Sequence, residues 1–268
     1  MEKIISFNGT KIFYEITGSG FPVVLLHGFC EDNTSWNEWK KPFEEKFTLI
    51  TPDLFGFGKS EIPQEKTTMK LFAEQLKFIL EEEKISKFIL IGHSMGGYIS
   101  MQFAKLFSEK LSGLCLFHSS ALADDEAKKA GRKKSIDFIS RNGSEHFVKE
   151  LYDGLFYEDF KNQNQKFLAE LLNYGKTFSA QAIMNAQQAM MEREDTTEVL
   201  KNISVPLLFF IGMQDKNVLP EKIIPQTLFP KISQIEIYEN VAHMGMFEQK
   251  EKTQNASLSF ISLCSSIK

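Results

Sequence analysis

Ser94 stands in Gly92-His93-Ser94-Met95-Gly96-Gly97, a G-x-S-x-G run. The short apolar segment Lys87 to Ile91 precedes it and is rich in strand formers. Tyr98 to Ala104 follows and reads as an amphipathic helix. Strand, G-x-S-x-G, helix is the setting of a nucleophile elbow. The serine must occupy a tight, strained turn so that its hydroxyl stands clear of the sheet. Gly92 and Gly96 leave room where a β-carbon would collide with the neighbouring strand or helix. The helix beginning behind the serine turns its N-terminal N–H groups toward a developing oxyanion.

A serine hydroxyl is a weak nucleophile at neutral pH, and it needs a base that is itself held by an acid. Of the 5 histidines, His243 lies just after the last strand-like run, where a loop can bring it over the elbow. It is the expected base. Asp215 follows the strand Leu207 to Ile211 within a few residues and is the expected acid, preferred over Asp124 and Asp125. Serine, acid, histidine is also a known chain order for such triads. The oxyanion needs two N–H donors about 3 Å away. Met95 supplies one, and Phe29, in the loop His27-Gly28-Phe29-Cys30, supplies the other. Phe29, Cys30 and His118 are expected to touch substrate. His27 should brace its loop, His93 should point into the fold, and His146 should lie on the surface.

A chain of 268 residues, 43% hydrophobic and 25% charged with net charge −4, fits a soluble globular domain and carries no nucleic-acid footprint. Its 3 cysteines are too few and too scattered for a disulfide framework or a metal site, and fit a reducing compartment. The N-terminus does not read as a signal peptide, and no apolar run nears the roughly 18 residues of a membrane span. A cytoplasmic protein, monomer or homodimer, with no membrane or nucleic-acid partner is expected.

Asn8-Gly9 between two strand-like runs, Lys3 to Phe7 and Lys11 to Ile16, marks a hairpin. Further strands are expected at Phe21 to Leu26, Phe47 to Thr51, Phe88 to Ile91, Leu114 to Phe117, Ser204 to Ile211 and Gln234 to Tyr238. Helices are expected at Ser35 to Glu45, Thr67 to Lys84 and Glu248 to Leu263. Alternating strands and helices imply an α/β fold with a mainly parallel sheet. Between Ala121 and Lys201 the rhythm breaks into helical sequence rich in Met, Phe, Gln and Lys. That stretch, 121–201, reads as a helical cap inserted into a core formed by 1–120 and 202–268.

The chain resembles the α/β-hydrolase family. The resemblance rests on His27-Gly28 followed by Trp36, on Asp53-Leu54-Phe55-Gly56-Phe57-Gly58-Lys59-Ser60, on Gly92 to Gly97, on Gly212-Met213-Gln214-Asp215 and on His243. It covers nearly the whole chain. It implies an eight-stranded, mostly parallel sheet flanked by helices, with one antiparallel strand from the hairpin and a helical cap. The Asp53 to Ser60 turn is implied to be structural and close to the site. The serine nucleophile argues against the dehalogenase and epoxide hydrolase branches, whose nucleophile is a carboxylate. The resemblance implies acyl transfer through Ser94, with an ester as the default bond and no metal or organic cofactor. Lactones, thioesters, carbon–carbon bonds and a receptor role on the same fold stay open. Phe138, Phe147, Phe156, Phe160, Phe167, Phe178, Met184, Met190 and Met191 are expected to give the cap an apolar substrate pocket. No Arg or Lys cluster stands in the motifs.

Overall fold

The computed structural model describes residues 1–266. Eight strands form one sheet in the order β1-β2-β4-β3-β5-β6-β7-β8. They are β1 Glu2–Phe7, β2 Thr10–Gly18, β3 Phe21–Leu26, β4 Phe47–Pro52, β5 Phe88–His93, β6 Leu111–Phe117, β7 Leu207–Gly212 and β8 Ser233–Tyr238. β2 runs antiparallel to both of its neighbours, and every pairing from β4 to β8 is parallel. The hairpin turn carries Asn8 at φ 47° and Gly9 at φ 82°, the left-handed pair that an Asn-Gly turn supplies at low cost.

β5 and β7 are buried along their whole length, and both are continuous apolar runs, as strands covered on two faces must be. The helix Met69–Glu82 buries Phe72, Leu76, Ile79 and Leu80, and Thr68 caps it by accepting the Leu71 N–H at 3.0 Å. The helix expected over Ser35 to Glu45 is instead three short turns, Asn33–Trp36, Asn37–Lys40 and Lys41–Phe43. Pro42 cannot donate the backbone bond that a continuous helix would need there. Trp36, Trp39 and Phe43 still enter the core, as that spacing requires.

Between β6 and β7 the chain forms six helices and no strand: Glu126–Asn142, Glu145–Asp153, Glu158–Gln163, Gln165–Gly175, Ala180–Met191 and Thr197–Asn202. Among the described residues, no helix is long and apolar enough to cross a membrane.

Candidate active site

Ser94 closes β5 and opens the helix Met95–Phe107 with φ 49° and ψ −112°. A non-glycine residue held there costs on the order of 1–3 kcal/mol, and the surroundings must enforce it. They do so at both ends. The Ser94 N–H donates to the Phe117 carbonyl at 2.9 Å, and Ser119 Oγ donates to the Ser94 carbonyl at 2.7 Å. A β-carbon on Gly92 would lie 2.4 Å from the Gly96 carbonyl oxygen, and one on Gly96 would lie 2.6 Å from the Leu26 carbonyl oxygen. The elbow therefore presses against β3, and neither glycine tolerates a side chain.

Ser94 Oγ lies 2.8 Å from His243 Nε2, and His243 Nδ1 lies 2.6 Å from Asp215 Oδ2. The other Asp215 oxygen accepts the N–H groups of Asn217 at 2.8 Å and Val218 at 2.9 Å. Burial pushes the Asp215 carboxyl up, but the charge and hydrogen bond of His243 outweigh it and hold the group below the usual carboxylate range. Glu248 fixes the histidine loop by accepting the N–H groups of Ala242 and Met244 on either side of His243. Asp124 and Asp125 are occupied elsewhere. Asp124 binds Arg132 and Arg193, while Asp125 caps the helix Glu126–Asn142 and pairs with Lys222.

No hydrogen bond within the described residues engages the N–H of Phe29 or of Met95. The loop carrying Phe29 is braced as expected of His27. The Leu54 N–H donates to His27 Nε2 at 2.9 Å, so Nδ1 carries the hydrogen and donates to the Gly28 carbonyl at 2.8 Å. Burial lowers the His27 pKa, in keeping with that neutral tautomer. Asp53 anchors the adjoining turn by accepting the Asn33 and Lys59 N–H groups, and burial pushes its carboxyl up to about 7.

Glu31 went unremarked in the sequence. It is buried in the same loop, accepts the Gly28 N–H at 3.2 Å, and lies 2.9 Å from His93 Nδ1. His93 Nε2 in turn reaches the backbone carbonyl of His243 at 2.9 Å. His93 is thus a core histidine that ties the Phe29 loop to the His243 loop. Its contact with Glu31 is an ion pair rather than a well-aligned hydrogen bond. Burial opposes both charges, yet each partner overcomes it: Glu31 is held below its ordinary pKa and His93 above. The carboxylate's contribution is complete above its ordinary pKa of about 4.3 and is lost on acidification. The imidazolium's is complete below about 6.5 and is lost as pH rises through its raised value. Glu31→Gln should destabilise the fold most between those limits, by about 3 kcal/mol. Denaturation midpoints measured across pH should show the gap to wild type narrowing on both sides, and a pH-independent gap would contradict the ion pair.

A cavity of about 270 Å³ opens onto Ser94 and His243. Phe29 lines it, whereas Cys30 and His118, expected beside it, are not among its lining residues. Cys30 is fully buried at φ 57°, with its carbonyl accepting Tyr152 Oη at 2.6 Å, and burial drives its thiol pKa far up. His118 is buried behind Asp215, 3.9 Å from Oδ2, and burial lowers its pKa to about 3, so it packs there neutral. The apolar residues expected to line the pocket also divide differently. Only Phe147 and Met190 of them line this cavity. Phe156, Phe160 and Phe167 pack against one another and against Phe247, away from this cavity, and Phe138 is 39% exposed. His146 packs beside Phe138.

The comparisons with known proteins agree with this architecture. The model of the alpha/beta hydrolase fold family matches residues 22–250. The chain belongs to the α/β hydrolase fold family. It is 28% identical to the 2-hydroxy-6-oxo-6-(2'-aminophenyl)hexa-2,4-dienoic acid hydrolase of Metapseudomonas resinovorans over 98% of this chain and 91% of that one. It is 27% identical to the pimeloyl-(acyl-carrier protein) methyl ester esterase of Wigglesworthia glossinidia brevipalpis, over 85% of this chain and 87% of that one. Among solved structures, a thermophilic esterase from Thermogutta terrifontis superposes with TM-score 0.93 at 26% identity, covering 99% of this chain and 100% of that one. The first curated relatives, uncharacterised mycobacterial proteins 31% identical over 118 residues, are matched over only 35% of their length.

Proposed function

We propose that the protein is a serine hydrolase that cleaves a small carboxylic ester through an acyl-enzyme on Ser94. The unbroken hydrogen-bonded chain from Ser94 Oγ through His243 to Asp215 carries this reading. Ser94 Oγ attacks the ester carbonyl carbon while His243 Nε2 takes its proton. The oxyanion forms against the unengaged N–H groups of Phe29 and Met95, where preorganised donors act at the moment charge develops. Collapse expels the alkoxide, which leaves as the alcohol with the proton from His243. Water then attacks the acyl-enzyme by the same route, with His243 again as base, and releases the acid. Asp215 holds the imidazole in the tautomer whose Nε2 is free to accept.

The cavity volume of about 270 Å³ lies at the small end of ligand sites, which favours short substrates. Phe29, Phe147, Leu151 and Leu155 give part of its wall an apolar face. The esterases among the relatives and solved structures support an ester bond. The dienoic acid hydrolase, similar over nearly the whole chain, supports a carbon–carbon hydrolase as the second reading.

Steady-state hydrolysis of p-nitrophenyl esters of increasing acyl length tests the proposal. Sustained turnover with an optimum at short chains is expected. Saturable binding without turnover would overturn the ester reading and direct the search to carbon–carbon bonds or a receptor role.

A further inference from the structure

The helix Glu126–Asn142 turns Lys128, Gly131, Arg132 and Ser135 into the cavity above Ser94. Spacings of three and four residues place these side chains on one helical face. An apolar substrate would be met by an apolar stripe there. This stripe is instead cationic and polar, and a β-carbon on Gly131 would meet nothing within 4 Å, so the glycine leaves the space open.

Among the described residues, ion pairs do not balance the charge on this wall. Asp124 is buried beneath it and is the one carboxylate shared by three cations: Arg132 Nε at 2.5 Å, Arg193 Nη1 at 2.8 Å and Lys128 Nζ at 3.8 Å. The remaining acids lining or bordering the cavity already have partners. Glu31 pairs with His93, and Asp215 with His243. Arg193 packs against the Tyr98 ring, 3.9 Å from its centroid, and donates to the Met190 and Leu122 carbonyls. Arg132 uses Nε on Asp124 and Nη1 on Gln187, which leaves Nη2. Lys128 donates to the Asn217 carbonyl, beside the loop that holds Asp215, and has two further N–H donors. The field of the cluster is visible at Tyr98, which also lines the cavity. Burial raises its pKa, but Lys128, Arg193 and Arg132 outweigh burial and lower it.

The geometry points to a carboxylate-binding subsite on the Lys128–Arg132 wall, so that the substrate is a small ester bearing a second, free carboxylate. This rests on the serine hydrolase reading above and narrows it. The apolar face around Phe29, Phe147 and Leu155 takes the hydrocarbon body, and the cationic face takes the charged end. One guanidinium nitrogen and one ammonium match the single charge of a carboxylate better than the double charge of a phosphate. Sequence inspection missed the cluster because Lys128 and Arg132 lie outside the motifs and meet Ser94 only through the cap.

Binding should be measured calorimetrically on the Ser94→Ala protein, which leaves an ester uncleaved. The probes are methyl hydrogen adipate, dimethyl adipate and inorganic phosphate. The half-ester should bind at least tenfold more tightly than the diester, and added salt should reduce that advantage. Lys128→Met, or Lys128→Gln should the first fail to fold, should cut the advantage about tenfold, as expected for a lost charged hydrogen bond. Equal or tighter binding of the diester would overturn the subsite. So would an advantage that survives both Lys128 variants, or tighter binding of phosphate than of the half-ester. This readout does not need turnover. Selective half-ester binding by a wild-type protein that cleaves no ester would leave the subsite standing and remove the esterase reading, and ester turnover indifferent to charge would do the reverse.

Discussion

Ser94→Ala is expected to lower kcat for ester hydrolysis by about a million-fold, the scale on which removal of the nucleophile acts in serine hydrolases whose triad works as a unit. The loss should be confined to chemistry. The hydroxyl has one side-chain partner, His243, and the bonds that hold the turn engage the Ser94 backbone: its N–H donates to the Phe117 carbonyl and its carbonyl accepts from Ser119 Oγ. Alanine at φ 49° suffers the same backbone strain as serine, so the unfolding midpoint should shift little. A stopped-flow burst of p-nitrophenol retained in the variant would remove Ser94 from the role of nucleophile. An unfolded variant, seen by circular dichroism, would contradict the account of how the elbow is held.

The elbow could be read from sequence because its chemistry is local. Gly92, Ser94 and Gly96 stand at the spacing a strand-turn-helix elbow needs, although Gly96 is forced by the distant Leu26 carbonyl, and the strand before and the helix after have clear periodicity. Asp215 and His243 could be placed because each follows a strand closely, and parallel strands deliver their carboxyl ends to one edge of the sheet. The cavity wall could not be read in this way. Which residues of the six helices between β6 and β7 face Ser94 depends on how those helices pack. The amphipathic pattern marks a buried face without saying what it is buried against. So Phe156, Phe160 and Phe167 carried the composition of a pocket and instead pack against one another, while Lys128 and Arg132, which no motif marked, came to line the cavity. Glu31 was missed for a related reason. A single acid in a loop gives no signal until the fold sets it against His93, a residue 62 positions away (93 − 31).

Asp215→Asn is expected to lower kcat by about ten-thousand-fold, the effect that the equivalent change has in a well-studied serine protease triad. The geometry gives a specific reason. Asp215 Oδ1 accepts two N–H groups, from Asn217 and Val218, so only an oxygen is tolerated there. An asparagine must therefore keep its carbonyl oxygen on that side and turn its NH₂ toward His243. Nδ1 then faces a donor and must become the acceptor, so the hydrogen moves to Nε2. Nε2–H points at Ser94 Oγ and can no longer take its proton. In the proposed mechanism the substitution also removes the negative charge that would stabilise the imidazolium of each half-reaction. Because the exchange of oxygen for nitrogen is nearly isosteric, the fold should survive, and nitrogen NMR of the His243 ring should show the altered tautomer. Asp124 offers no substitute, since its oxygens are held by Arg132 and Arg193. Near-normal turnover in Asp215→Asn would show that His243 is oriented by something other than this carboxylate, and the Asp215 assignment would fall.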